Sequence, residues 1–179
     1  MVKIMEKELK EKLKNIKAII FDCDGVVFTG QVFCSKDNSD FLKERSHIDG
    51  QGLVMLMAVG LKIAFVTAEK TGFIEKYSEK LNGKDETWEK TIVFSGFQGK
   101  EKVGVIDSWL KEIGVSWQEC AAMGDDVGDL ELLKKVGFSA APFQAEKEIK
   151  EIVDYVAPRQ GGRGAVRDLC NIILEAKKI

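Results

Sequence analysis

The sequence predicts an α/β fold in which a doubly wound parallel sheet carries helices on both faces. Three observations support this prediction. From residue 62 onward, short apolar segments alternate with helix-prone segments, as in folds built from parallel strands and crossover helices. Polar residues such as Asp22 and Thr67 directly follow apolar strands, where ligand-binding residues lie in such sheets. The chain of 179 residues is long enough for one sizeable core.

The composition is that of a folded globular protein, with 45% hydrophobic and 31% charged residues. We therefore expect one domain over residues 1–179. The formal net charge of −2 gives no sign of a nucleic-acid or membrane-surface binder, so neither partner is expected. The N-terminal residues lack the unbroken apolar stretch of a secretory signal, and the four cysteines form no CxxC pair. Both features favour reduced thiols and a cytoplasmic location.

The elements can be predicted in chain order. Residues 3–15 combine helix-forming residues with opposite charges at helical spacing, which indicates a surface helix. Residues 17–22 contain a short apolar run and are expected to form a buried strand. The later segments predict helices over 50–59, 70–81, 101–112, 127–135, 144–150 and 164–177, and strands over 62–66, 91–94, 120–123, 138–141 and 153–156.

The segment 26–49 is expected as an insertion after the first strand. Residues 26–36 contain two β-prone runs around Thr29-Gly30, which predict a hairpin. The polar residues 36–47 are expected to form a loop with a further strand fragment. The insertion is too short to form a separate cap domain, so we expect a capless fold with a hairpin beside the carboxyl end of the first strand.

Acids, a hydroxyl and lysines recur where strands end. Because the carboxyl ends of parallel strands meet at one edge of the sheet, these side chains should converge there. Carboxylates at such an edge are stabilised by a cation, and Mg²⁺ prefers oxygen ligands. The residues concerned are Asp22 and Asp24 after the first strand, Thr67 after the second, Lys100 and Lys102 after the third, and Asp125 and Asp126 after the fourth.

This set of side chains matches the requirements of phosphoryl transfer. A carboxylate nucleophile forms an acyl phosphate. A divalent cation, a lysine, a hydroxyl and backbone N–H groups stabilise the phosphoryl oxygens. A second acid two residues on, as Asp24 stands to Asp22, can protonate the leaving oxygen and later deprotonate water. We therefore predict a Mg²⁺-dependent phosphomonoesterase.

Four motifs resemble those of haloacid dehalogenase (HAD) superfamily phosphatases. Asp22-Cys-Asp24-Gly-Val-Val resembles the first motif, DxDGx[VT], and Gly124-Asp-Asp-Val-Gly-Asp129 resembles the fourth, GDDxxD. Thr67 stands at the second motif and Lys102 at the third. The GFQGKEK stretch, the expected lack of a cap and the run RQGGRGAVR resemble one branch of that superfamily. This branch contains the 3-deoxy-D-manno-octulosonate (KDO) 8-phosphate phosphatases and relatives that act on nonulosonate 9-phosphates.

The resemblance implies roles for individual residues. Asp22 would be the nucleophile and Asp24 the general acid and base of a reaction through an aspartyl phosphate. Asp126 would act through a metal-bound water or by orienting Lys102. The implied Mg²⁺ ligands are Asp22, Asp24 (through its carbonyl), Asp125 and Asp126. The implied phosphate-binding residues are Thr67, Ala68 and Lys102, with Lys100 as the competitor of Lys102.

The substrate contacts depart from the pattern of the branch. Its second motif usually ends in an arginine that contacts the acidic sugar, and Glu69 stands there in this chain. A glutamate would repel a substrate carboxylate. Lys70 is adjacent, but a lysine is not a bidentate clamp. KDO 8-phosphate is the expected substrate, and a nonulosonate 9-phosphate or another small phosphate ester is the alternative. The candidate contacts are His47, Asp49, Lys70, Arg163 and Arg167.

The resemblance also implies a homotetramer, in which the hairpin helps to build the assembly and a neighbour's hairpin and C-terminal tail close the site. Two functions of other classes remain open. A receiver-type phospho-acceptor domain would carry its acid pair after the first strand, whereas the pair Asp125-Asp126 comes late here. A non-catalytic assembly domain of this fold loses its aspartates, whereas this chain retains them.

Overall fold

A computed structural model describes residues 2–37 and 40–178. Its main sheet has six strands, and every neighbouring pair is parallel. Across the sheet the strands lie in the order β5 (Ile92–Ser95), β4 (Lys62–Thr67), β1 (Ala18–Asp22), β6 (Cys120–Met123), β7 (Phe138–Ala141) and β8 (Tyr155–Val156). A separate antiparallel pair is formed by β2 (Val32–Cys34) and β3 (Asp40–Lys43).

Helices cover both faces of the main sheet. One face carries α1 (Val2–Lys14), α2 (His47–Ala58), α3 (Phe73–Asn82) and α7 (Ala165–Lys177). The other face carries α4 (Lys100–Glu112), α5 (Leu130–Leu133) and α6 (Lys147–Lys150). This arrangement confirms the predicted doubly wound α/β class. Among the described residues, the helices are all too short or too polar to cross a lipid bilayer.

The central strand β1 is buried along its whole length because both of its faces are covered. Ile19 and Phe21 pack into the apolar cluster beneath α2 and α7, whereas Ala18 and Ile20 pack into the cluster beneath α4. This alternation explains the continuous apolar run that predicted the strand. Since β1 lies between β4 and β6, Asp22 ends the strand next to the ends of two others.

The sequence predicted a hairpin around Thr29-Gly30, and this predicted position is wrong. The two paired strands are β2 and β3, so the strand fragment expected within 36–47 is the real partner. Val26, Val27 and Phe28 are buried instead, and their N–H groups donate to the carbonyl of Cys23. Their apolar character therefore reflects burial in a turn after β1, in which Phe28 makes only an isolated bridge to Asp24.

Several helix boundaries also differ from the prediction: α3 and α6 each begin three residues later than expected, and two further differences concern α2 and α5. Helix α2 begins at His47, because the hydroxyl of Ser46 accepts a hydrogen bond from the N–H of Ile48 at 3.1 Å and caps the first turn. The helix predicted over 127–135 is shorter: a 3₁₀ turn over residues 127–129 precedes α5. The candidate residue His47 is therefore helical, and Asp129 is the last residue of the 3₁₀ turn.

Candidate active site

The fold brings the strand-end residues together as the topology predicts. Asp22 and Thr67 are the last residues of β1 and β4 and are 7% and 3% exposed. Lys102 lies in the first turn of α4 and is 5% exposed. These residues line one cavity of about 460 Å³. Its other charged and polar lining residues are Asp24, Lys43, Glu69, Gln98, Asp125, Asp126 and Asp129.

Lys102 bridges two buried carboxylates. Its Nζ lies 2.5 Å from Oδ1 of Asp22 and 2.7 Å from Oδ1 of Asp129. Burial alone would lower the pKa of Lys102, but the two carboxylates outweigh burial and raise it. Burial and the charge of Asp129 raise the pKa of Asp22, and Lys102 opposes them. Lys100 faces a different cavity, with Lys134 and Lys135.

Asp129 is a site residue that received no role from the sequence. Its Oδ2 accepts hydrogen bonds from the N–H groups of Asp125 at 3.2 Å and Asp126 at 3.5 Å, and it is 2% exposed. It orients Lys102, a function that the resemblance offered to Asp126. The carboxylate of Asp126 instead accepts from the N–H of Val127 at 2.6 Å and caps the 3₁₀ turn. The sequence signal for Asp129 was its position as the last acid of the GDDVGD motif.

Three carboxylates form a group that suits a metal cation. Oxygens of Asp22, Asp125 and Asp129 all lie within 4.8 Å of one another. Burial, with the charges of Asp129 and Asp126, raises the pKa of Asp125 to about 7. A Cβ on Gly25, whose φ is +89°, would lie 1.9 Å from Oδ2 of Asp125, so glycine leaves room for this group. An oxygen-only donor set with excess negative charge fits a hard divalent cation.

The carboxylate of Asp24 forms an ion pair with a second lysine, Lys43. Both of its carboxylate oxygens are bound by Nζ of Lys43, at 2.8 Å and 3.0 Å. The sequence contains no signal for this contact, because Lys43 belongs to the insertion, where charged residues are usually solvated. Oγ1 of Thr67 accepts from the N–H of Glu69 at 3.1 Å, which curls the loop so that Ala68 and Glu69 line the cavity.

The predicted substrate residues are not brought to this cavity. Asp49 is buried and accepts hydrogen bonds from the N–H groups of Gly164 and Arg167, at 3.0 Å and 2.9 Å. His47 lines a separate cavity, and Lys70 packs beside Gly96. Within the described part of the chain, neither they nor the two arginines line the cavity around Asp22.

The glycine-rich run near the C-terminus has a packing function. A Cβ on Gly161 would lie 1.7 Å from the carbonyl oxygen of Gly25, so this close approach requires glycine. The N–H of Gly162 donates to the carbonyl of Val26 at 2.7 Å. The run therefore supports the loop that carries Asp24. The side chain of Arg163 contacts Glu44, and the Nε of Arg167 contacts Asn171.

Comparison with known proteins gives the family. A protein-family model described as haloacid dehalogenase-like hydrolase matches residues 3–167, and the chain belongs to this family. Two curated relatives are 3-deoxy-D-manno-octulosonate 8-phosphate phosphatases named KdsC. That of Haemophilus influenzae is 32% identical over 94% of this chain and 88% of its own length. That of Salmonella typhi is 29% identical over 93% of this chain and 83% of its own length.

Solved structures agree with this assignment. A HAD superfamily hydrolase from Legionella pneumophila matches with a TM-score of 0.89 and 34% identity, over 99% of this chain and 92% of that one. The cobalt-bound KDO 8-phosphate phosphatase of Haemophilus influenzae matches with 0.83 and 30%, over 93% and 92%. The Moraxella catarrhalis enzyme, in complex with magnesium, phosphate and KDO, matches with 0.85 and 26%, over 96% and 93%. The predicted enzyme class, a phosphatase, is confirmed.

Proposed function

We propose that this chain hydrolyses KDO 8-phosphate to KDO and inorganic phosphate. The observation that carries the proposal is the cluster at the carboxyl edge of β1, where Lys102 bridges Asp22 and Asp129 beside Asp125. The relatives that cover most of the chain are phosphatases of this sugar phosphate. A single domain over residues 1–179 stays a prediction, which the shared central sheet supports.

In the proposed reaction, the carboxylate of Asp22 attacks phosphorus and forms an aspartyl phosphate. The bond from phosphorus to the sugar oxygen breaks, and that oxygen takes a proton from Asp24. Water then attacks the phosphorus and gives a proton to Asp24. The bond between phosphorus and the Asp22 oxygen breaks, which releases inorganic phosphate and restores the carboxylate of Asp22. Thr67, with the backbone of Ala68, and Lys102 would hold the phosphoryl oxygens.

We assign the metal as Mg²⁺. Asp22, Asp125 and Asp129 offer oxygens close enough to share one cation, and the carbonyl of Asp24 is the further ligand that the resemblance implies. Asp126 stays a predicted outer ligand. When bound, the cation would neutralise charge on the phosphoryl oxygens. Magnesium in one neighbour and cobalt in another support a divalent ion in this position.

A second candidate substrate is a nonulosonate 9-phosphate. Glu69 lines the cavity at the place where the branch has its substrate-binding arginine, and it would repel the carboxylate of KDO 8-phosphate. We expect Glu69→Arg to lower the KM for KDO 8-phosphate. An unchanged or raised KM would remove the argument from Glu69, and a panel of 8- and 9-phosphorylated keto acids would rank the two substrates.

We also propose a cytoplasmic homotetramer. Val32, Phe33 and Leu42 of the β2–β3 hairpin are 41%, 69% and 62% exposed, which supports burial of this hairpin between subunits. The four-subunit number comes from the resemblance alone.

The decisive experiment is steady-state turnover of KDO 8-phosphate with Mg²⁺, compared between wild type and Asp22→Asn. We expect a loss of about 10⁴-fold or more, because the amide cannot form the aspartyl phosphate. Excess EDTA should stop the wild-type reaction, and added Mg²⁺ should restore it. A wild type without Mg²⁺-dependent turnover over a broad sugar-phosphate panel would refute the proposal.

A further inference from the structure

The insertion after β1 sends one lysine into the active-site cavity. Nζ of Lys43 lies 2.8 Å and 3.0 Å from the two carboxylate oxygens of Asp24. The side chain of Lys43 is 3% exposed, and that of Asp24 is 30% exposed. Asp24 lies two residues beyond β1, and Lys43 ends β3. This ion pair therefore joins the hairpin to the strand end of the main sheet.

The position of Lys43 is determined on several sides. Its backbone pairs with Val32 of β2, and the carbonyl of the next residue accepts from the N–H of Thr29 at 3.0 Å. Its ammonium lies 5.7 Å from the centre of the Phe73 ring, at the start of α3. A buried ammonium is unfavourable without a counter-charge, so the carboxylate of Asp24 stabilises Lys43 where it lies.

The two lysines of the cavity serve different acids. Lys102 binds Asp22 and Asp129, whereas Lys43 binds Asp24. Lys43 lines the cavity, but its side chain is only 3% exposed and its ammonium is bound by Asp24. The alternative role, a direct contact between Lys43 and the carboxylate of a sugar acid, would appear as a raised KM.

We propose that Lys43 is a positioning residue: when Asp24 carries the proton for the leaving oxygen, Lys43 donates to the other oxygen of the same carboxyl group and holds it in the orientation needed for the transfer. The inference rests on the proposed function, in which Asp24 is the general acid. Two hydrogen bonds from one ammonium restrict rotation of the carboxylate, and without them this partly exposed group would turn towards water.

The test compares Lys43→Met with wild type on two substrates, KDO 8-phosphate and p-nitrophenyl phosphate. The value of kcat/KM reports the steps up to departure of the leaving group. A sugar alkoxide needs a proton as it leaves, whereas p-nitrophenolate does not. We expect kcat/KM to fall about 10- to 100-fold for KDO 8-phosphate and to stay within about threefold for p-nitrophenyl phosphate. The KM for KDO 8-phosphate should stay within about threefold.

Two controls isolate the contact. Lys76→Met removes an exposed lysine that pairs with Glu79 at 2.8 Å, and it should leave both substrates unchanged. Adding Lys43→Met to Asp24→Asn should cause no further loss on KDO 8-phosphate, because the residue through which Lys43 acts has already been changed.

Each remaining outcome has a defined meaning. Equal losses on both substrates, or a raised KM with unchanged kcat, would overturn the positioning role. If Lys43→Met lacks a cooperative thermal transition, Lys43→Arg decides: it keeps a charged donor and should keep the ratio of the two kcat/KM values within about threefold of wild type, and a larger change overturns the role. Wild type inactive on both substrates would refute the proposed function. An active wild type with an unaffected Lys43→Met would refute only the role of Lys43.

Discussion

The two lysines of the cavity lie in contrasting parts of the molecule. Lys102 lies in the first turn of α4 on the main sheet, and it is buried with Asp22 and Asp129, whose side chains are 10% and 3% exposed. Lys43 belongs to a two-stranded sheet outside the main one, and its partner Asp24 is 30% exposed. The candidate nucleophile is thus held by the core, and the candidate proton carrier is held by an insertion.

We infer from this difference that nucleophilic attack by Asp22 depends on the core of the fold, and that proton transfer by Asp24 depends on the insertion. A fully enclosed ion-pair network is rigid, and its loss affects stability as well as chemistry. The hairpin, with exposed Phe33 and Leu42, would change its surroundings in the proposed assembly. We therefore expect changes at Lys102 to act on the whole molecule and changes in the hairpin to act on assembly and proton transfer. Three substitutions test this contrast.

The largest effect is expected from Lys102→Met. It leaves the buried carboxylates of Asp22 and Asp129 without their counter-charge, which should lower the free energy of unfolding by about 3–5 kcal/mol in the absence of metal. Urea denaturation measures this change. Lys100→Met is the matched control, two residues away on an exposed position, and it should change stability by less than about 0.5 kcal/mol. If Lys102→Met and Lys100→Met were equally stable, the ion pairs of Lys102 with Asp22 and Asp129 would not stabilise the fold.

The next effect is expected from Gly25→Ala. The new Cβ would meet the carboxylate of Asp125, so the variant should lose the thermal stabilisation that Mg²⁺ gives to wild type. That stabilisation is about 2.7 kcal/mol at a hundredfold excess of metal over its Kd. Gly60→Ala is the control, because Gly60 has a similar φ of +79° but open space around its Cβ. The two variants share the backbone strain, so a full response to Mg²⁺ in Gly25→Ala would argue against the metal site.

The smallest effect on the fold is expected from Phe33→Glu in the hairpin. Phe33 is 69% exposed, so the charge should change the free energy of unfolding of the subunit by less than about 0.5 kcal/mol. In the proposed assembly it should shift the mass measured by light scattering towards the monomer. Phe143→Glu, at a site that is 59% exposed and outside the hairpin, should leave the mass unchanged. Identical masses for both variants would place the interface elsewhere.

The sequence alone determined the fold class, the strand positions and the family of this protein. Alternating apolar and helix-prone segments predicted every strand of the main sheet to within two residues, because strand and helix periodicity are local properties. The strand-end positions of Asp22, Thr67 and Lys102 predicted one shared cavity, because parallel strands end at the same edge. The four motifs and their order were sufficient for the family.

The tertiary structure decided which side chains meet. In the structure, Lys102 contacts Asp129 and not Asp126. The 3₁₀ turn directs the side chain of Asp129 inward, whereas the side chain of Asp126 caps the turn. The tertiary structure also pairs Lys43 with Asp24 across 19 positions of sequence. The hairpin is formed by β2 and β3 and does not lie around Thr29-Gly30. Asp49 is buried and accepts a hydrogen bond from the N–H of Arg167 in α7. Such contacts depend on side-chain direction and on distant packing, which no local pattern of residues encodes.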